Sequence, residues 1–330
     1  MLYSPKQLPK PLGLAVYHQT ISQFCWCIWG VKCRSFLNLF HVEQKNNQNN
    51  FFLKSKDHAI TGEPFDLCYC DIPELLVTSP QPPVESLLNY YKSDDYISHA
   101  KAKKTLFQAI YFSVRAITLR QKLKWVSSYK SNGNRILDFG AGVGDFVRAA
   151  QNYGWDCVGI EPNIKARTTA NAKKQNTVYP ADHLKTLLPN SQTVITLWHV
   201  LEHLPDLEHE ITTFKQLLKP SGRLVVAVPN FKSYDAQHFK SYWAAYDLPR
   251  HLWHFSRESI STLFEDFDME IESIYPMIFD SFYVSLLSTK HQSGRMKIIK
   301  GLAIGLLSNI KAYFSGEYSS LVFVIKNKNT

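Results

Sequence analysis

The chain has 330 residues, 45% of them hydrophobic and 20% charged, enough apolar material for one large domain with a small appendage and too much for a disordered or fibrous protein. Its net charge is +9, with much of the excess between Lys101 and Lys130 and between Lys290 and Lys311; both stretches read as helices with solvated basic faces rather than as a nucleic-acid stripe. Six cysteines, Cys25, Cys27, Cys33, Cys68, Cys70 and Cys157, do not make a disulfide framework in a chain this long.

Residues 1–50 are aromatic-rich near Phe24, Trp26 and Trp29 and polar from Gln44 to Asn50, which suggests an extension and a linker. The apolar stretch after Lys10 is broken by His18, Gln19 and Gln23, and Ile21 to Phe40 is interrupted by Lys32 and Arg34. Neither has the form of a secretory signal or a membrane span, so a cytoplasmic protein is expected. Residues 51–84 read as a small module with two short strands about a turn at Gly62. Residues 85–99 read as helix then loop, and 100–129 as a long amphipathic helix with Leu106, Ile110, Val114 and Ile117 at three- and four-residue intervals. Together, 85–130 form a helical lid in which Tyr96, Ser98 and His99 are candidates to face a ligand.

The informative part is 131–330. Arg135-Ile-Leu-Asp-Phe-Gly-Ala-Gly-Val-Gly-Asp-Phe146 reads as a buried strand, a turn with Gly140, Gly142 and Gly144, and the start of a helix. A second strand follows, ending in Glu161-Pro162. Glycines allow tight bending and close approach to a ligand, and a carboxylate at the second strand's end can accept from both hydroxyls of a ribose. Glu161 lies 23 residues beyond Asp138, near the roughly 20 this geometry requires. The dinucleotide fingerprint Gly-x-Gly-x-x-Gly would need glycine at 145, where the chain has Asp145. A carboxylate at that helix mouth opposes a pyrophosphate, and Asp138 suits a ligand carrying an ammonium and a sulfonium.

On these residues the chain resembles the class I S-adenosylmethionine-dependent methyltransferases. The resemblance implies a doubly wound α/β fold, a seven-stranded, mostly parallel Rossmann-like sheet, with S-adenosylmethionine held by Asp138, Phe139, Gly140, Ala141, Gly142, Phe146, Glu161, Pro162, Asp182, Leu197 and Trp198. Lys56 to Phe65, Cys68-Tyr-Cys70, Thr78 to Pro82 and Tyr90 to His99 are similar to a bacterial subgroup with a zinc-ribbon module before the catalytic domain. That module uses paired Cys-x-x-Cys knuckles, whereas Pro73 stands where the partner of Cys70 would be. Tetrahedral zinc needs four ligands, so a degenerate, empty ribbon is expected.

The remaining strands are read at Asn176–Tyr179, Thr193–Trp198, Arg223–Val228, Met269–Tyr275 and Ser320–Ile325, with an apolar helical insertion near 281–314. His199-Val-Leu-Glu202-His203 begins at the carboxyl end of a central strand, where open α/β sheets bind ligands. Asp235 to Phe255 is too long for a plain connection and gathers Tyr246, Asp247, Arg250, His251 and His254. Alignment of a nucleophile and exclusion of water are the main tasks in methyl transfer, with a base helping a hydroxyl acceptor. His199, His251 and Tyr246 are the catalytic candidates, with His254 a weaker one.

Small-RNA 2′-O-methyltransferases resemble this run too and hold magnesium on a carboxylate and histidine cluster. Here His199, Glu202, His203 and His251 offer a single carboxylate, so no metal is expected. A small-molecule, glycan or lipid-precursor acceptor, methylated at oxygen, is the expected substrate. The rival readings are a metal-assisted RNA 2′-O-methyltransferase, a cofactor-binding non-catalytic homologue and, disfavoured by Asp145, a nucleotide oxidoreductase.

Overall fold

In a computed structural model of the protein, the structure describes residues 50–91, 106–174 and 176–328. The candidates Tyr96, Ser98 and His99, and the cysteines Cys25, Cys27 and Cys33, lie outside those residues.

The first strand of the large sheet, β4 (Arg135–Phe139), is apolar at three of five positions and buried from Ile136 onward, as a strand covered on both faces must be. Helix α3 (Asp145–Asn152) follows the glycine turn, then β5 (Asp156–Ile160), α4 (Ile164–Lys173), β6 (Val178–Tyr179), β7 (Gln192–Trp198), α5 (Leu207–Leu217) and β8 (Leu218–Pro229). The strand read at 223–228 thus starts five residues earlier and the one read at 176–179 is shorter. Side-chain caps set the helix starts. Asn163 accepts from two backbone amides of α4, Asp206 accepts from His209 N, and Ser256 forms a capping box with Ser259 at α7 (Arg257–Glu265).

Strand β10 (Met269–Pro276), the helices α8 (Asp280–Ser293) and α9 (Ile298–Ser315), and strand β11 (Ser320–Asn327) complete the domain. The sheet order is β10-β11-β8-β7-β4-β5-β6. Strand β11 runs antiparallel to both neighbours, and β4, β5, β6, β7 and β8 are parallel. Order reverses between β4 and its neighbours β5 and β7, which puts the ligand crevice outside the carboxyl ends of these strands.

The stretch 51–84 contributes β1 (Phe51–Lys56), β2 (Pro64–Tyr69) and β3 (Leu76–Ser79), followed by α1 (Val84–Leu87). The antiparallel sheet does not stop at β3. It continues into β9 (Trp253–His254), with Val77 opposite Trp253 and Leu76 opposite His254. The segment 235–255, read as a long loop, therefore carries α6 (Tyr234–Phe239), two 3-10 turns and a strand of another sheet. A buried ion-pair network fastens the two. Arg250 donates to Asp57 at 3.0 Å, to Asp247 at 2.7 and 3.0 Å, and to the Tyr90 carbonyl at 3.0 Å. The Asp57 carboxylate also accepts from the amides of Ala59 and Thr61, closing the β1–β2 turn.

Cys70 is held as a thiol: burial pushes its pKa up to about 11, and its sulfur donates to the Ile72 carbonyl. Helix α2 (Leu106–Ser127) packs Leu123, Trp125 and Val126 into the core of the large sheet.

Candidate active site

The glycine turn is built as its sequence requires. Gly140, Gly142 and Gly144 have φ of 76°, 53° and 72°, values that side chains disfavour. Gly140 N and Ala141 N donate to the Ile160 carbonyl at 2.8 and 2.9 Å, tying the turn to β5. A Cβ on Gly140 would come within 2.3 Å of Val200, whereas one on Gly142 would meet nothing within 4 Å. Gly142 is thus the point where backbone is open to a ligand.

Glu161 stands beside that opening. Its Oε2 accepts from Gly142 N and its Oε1 from Asn163 N, both at 2.8 Å. Each oxygen keeps a lone pair for a further donor, so the carboxylate is oriented and still able to bind a diol. Asp138 is buried and accepts from Thr196 Oγ1 at 2.6 Å. Burial pushes its pKa up to about 7, against the opposing influence of Thr196 and Lys122. Lys122, on α2, is itself pushed down to about 8 by burial, against the attraction of Asp280 and Asp138. Its ammonium lies 4.3 Å from the centroid of the Trp198 ring. The sequence reading missed Lys122, which it grouped with the solvated lysines of that helix; its place among Leu119, Leu123 and Val126 was the available signal.

The other cofactor candidates divide by face. Phe146 packs edge-on against Trp198 at 5.4 Å. Phe139 is buried edge-on against Phe214, and Leu197 is fully buried, so these two can offer a ligand only backbone. Ala141 sits against Gly159. Pro162 is exposed, and its carbonyl, with that of Glu161, accepts from Arg167. Asp182 points to solvent beside Lys185. Next to it, the rings of Tyr179 and His183 stack at 4.1 Å, a flat surface that the sequence did not reveal.

The catalytic candidates lie in two settings. His199 has φ 58° and is held between carboxylates, Nδ1 3.4 Å from Glu202 and Nε2 3.2 Å from Asp280. Burial opposes its charge, but Asp280 and Glu202 lift its pKa to about 9. At neutral pH it is an imidazolium and cannot accept a proton. His251 is the reverse case. Burial, then the neighbouring His203, lower its pKa to about 4. Its Nδ1 lies 2.9 Å from the Ala245 carbonyl, which can only accept, so the proton is on Nδ1 and Nε2 carries a free lone pair. That Nε2 is 4.0 Å from Glu202 Oε1.

Tyr246 is buried with its ring edge-on to Trp243 and His254, and burial pushes its phenol pKa up. His254 bonds Thr78 Oγ1 at 3.0 Å, and burial keeps it neutral.

Glu202, His203 and His251 each present one ligand atom, all within 4.8 Å of one another. His203 Nδ1 donates to the Arg250 carbonyl at 2.9 Å, as His251 Nδ1 does to Ala245, so both imidazoles have Nε2 available. Both Glu202 oxygens are buried without a hydrogen bond among the described residues. The expectation of no metal thus meets a donor set of two nitrogens and one carboxylate, which suits a nitrogen-preferring divalent ion better than magnesium.

With a carboxylate closing its glycine turn and a single reversed strand in an otherwise parallel sheet, the chain belongs to the class I S-adenosylmethionine-dependent methyltransferases. The methyltransferase-domain family matches residues 111–274. Among curated proteins, the chain is similar to the ubiquinone biosynthesis O-methyltransferase of Paraburkholderia phymatum, 30% identical over 123 residues, covering 34% of this chain and 53% of the relative. It is also similar to an uncharacterized methyltransferase of Oceanobacillus iheyensis, 27% identical over 154 residues, covering 45% and 65%. The chain spans about half the length of the ubiquinone-pathway relatives it matches. Among solved structures, magnesium protoporphyrin IX methyltransferase from Synechocystis is similar with a TM-score of 0.49 at 14% identity, over 74% of this chain and 99% of that one.

Proposed function

We propose that this protein transfers a methyl group from S-adenosylmethionine to an oxygen of a small-molecule, glycan or lipid-precursor acceptor. The observation that carries the reading is the open glycine turn at the carboxyl end of β4 with the oriented carboxylate of Glu161 beside it; His251, beside Glu202 in the turn after β7, adds a neutral imidazole whose proton is fixed on Nδ1 by the Ala245 carbonyl. The similarity to O-methyltransferases named for ubiquinone biosynthesis supports oxygen as the acceptor atom.

S-adenosylmethionine, when bound, supplies an already activated methyl group. Glu161 would receive the ribose hydroxyls, and Asp138 the ammonium, for which its neighbour Thr196 keeps one oxygen oriented. The cation-tolerant face of Trp198, now turned to Lys122, borders the same space. His251 Nε2 takes the proton of the acceptor hydroxyl, and Glu202 beside it stabilises the imidazolium that results. His199 holds Glu202 and Asp280 in place as a cation. The lid helix and the 243–255 segment exclude water.

Calorimetric titration with S-adenosylmethionine and, separately, NAD tests the cofactor: heat with the first and none with the second is expected, and the opposite result removes the proposal. Transfer of labelled methyl from S-adenosylmethionine into an extract then reports the acceptor. The Glu202, His203 and His251 cluster favours one second reading, metal-assisted methylation of an RNA 2′-hydroxyl. Turnover indifferent to a chelator, or RNA affinity without a steep salt dependence, disposes of it.

A further inference from the structure

The hairpin of α8 and α9 has two unlike sides. Along one side of α9, Gly301, Gly305, Ser308 and Ala312 are buried. The two glycines allow close contact with α8: a Cβ on either would come within 2.8 Å of Leu286 or Phe282. Ser308 donates to the buried carboxylate of Asp235 at 2.7 Å, and Trp243 Nε1 donates to the same carboxylate at 2.8 Å. The helix is therefore latched to the domain, and its orientation is set.

The opposite side of α9 is apolar and exposed. Ile299, Leu302, Leu306, Ile310, Tyr313 and Phe314 recur at three- and four-residue intervals, which places them on one stripe. Ile299 is 87% exposed, Tyr313 78% and Phe314 83%. An apolar stripe facing outward along a whole helix is an interaction surface rather than a scatter of single residues. The charge around it has one sign. From residue 281 to 316 there is no aspartate or glutamate, and there are five cations, Lys290, Arg295, Lys297, Lys300 and Lys311. All five are exposed.

We propose that this face is an interfacial membrane-docking surface, with α9 lying in the plane of a bilayer that contains anionic phospholipid. Basic residues beside an outward apolar stripe match headgroup phosphates and acyl chains in turn. The same fringe disfavours a second copy of this chain as occupant, because past Asp280, which is paired with His199, the hairpin supplies no acids to meet the lysines of a facing hairpin. No described helix is long and apolar enough to cross a membrane, so contact is lateral. The hairpin begins at Asp280, which pairs with His199 at the sheet edge, so a docked protein presents its candidate active site close to the lipid surface.

Co-sedimentation of the full chain with phosphatidylcholine vesicles, with and without phosphatidylglycerol, tests the proposal. Binding that increases on adding phosphatidylglycerol is expected. Ile299→Glu with Leu306→Glu, both solvent-facing, should lower vesicle affinity on the order of tenfold or more while leaving S-adenosylmethionine binding unchanged. Lys297→Glu with Lys300→Glu should abolish the preference for phosphatidylglycerol. Failure of the parent protein to bind either vesicle overturns the proposal, as does binding that the first pair of substitutions leaves intact. Sedimentation velocity decides the competing occupant: a dimer that the Ile299→Glu, Leu306→Glu protein no longer forms, with no vesicle binding by the parent, assigns the face to a second copy instead.

Discussion

Replacing His199 by glutamine removes a cation from between two carboxylates while keeping a side chain of similar reach. In the folded protein its pKa rises from 6.5 to about 9, and each unit corresponds to about 1.4 kcal/mol, so the pairing contributes roughly 3 kcal/mol at most. Solvent reaches 32% of the side chain, which trims this to about 2 to 3 kcal/mol. A folded-state pKa raised above the unfolded one means that the contribution is complete below about pH 6.5 and lost as pH climbs through about 9. Leaving Glu202 and Asp280 without their partner adds a further cost, because burial opposes the charge of both. Urea unfolding of parent and His199→Gln proteins at a series of pH values should thus show a gap that narrows by about 2 to 3 kcal/mol between pH 6.5 and 9. Using the difference matters because Lys122, lowered to about 8, titrates in the same window. A gap independent of pH would refute the reasoning, showing that His199 is neutral in the fold and free to act as a base.

Three further outcomes can be checked. Glu161→Gln keeps an acceptor for Gly142 N or Asn163 N but removes the charge, and S-adenosylmethionine affinity measured by calorimetry should fall roughly 10- to 100-fold. His251→Ala should leave that affinity unchanged and reduce kcat on the order of 10²- to 10⁴-fold in a labelled-methyl assay; unaltered turnover would eliminate it as the base. Arg250→Met leaves Asp57, fully buried as a side chain, without its cation, and should destabilise the fold by about 3 to 5 kcal/mol in thermal or urea unfolding. Retention of full stability would mean that the 51–84 strands do not depend on this network.

Much of the catalytic domain was legible because its signals are local. The glycine turn, the acid at the next strand's end, the Ser256 cap and the order of strands and helices are all set within a few residues of where they act. The 235–255 segment was read as a loop because its partner strand lies in β3, with Thr78 N donating to the Leu252 carbonyl across the join. No periodicity within the segment could signal this. Phe139 and Leu197 were read as ligand contacts from their positions, but alternation along a strand turns their side chains into the core. Lys122 looked like one lysine of a basic face, and only packing over Trp198 separates it from the rest.

By itself the amino-acid order determined the cofactor class, because discrimination between a pyrophosphate and a sulfonium depends on which residues flank one short turn. The chain's folding in three dimensions decided which histidine can take a proton. His199 and His251 are both plain imidazoles in sequence, with ordinary pKa values near 6.5. One is set between Asp280 and Glu202 and the other is buried against a backbone carbonyl. Electrostatic energy depends on distance through space, and Asp280 is 81 residues from His199 along the chain.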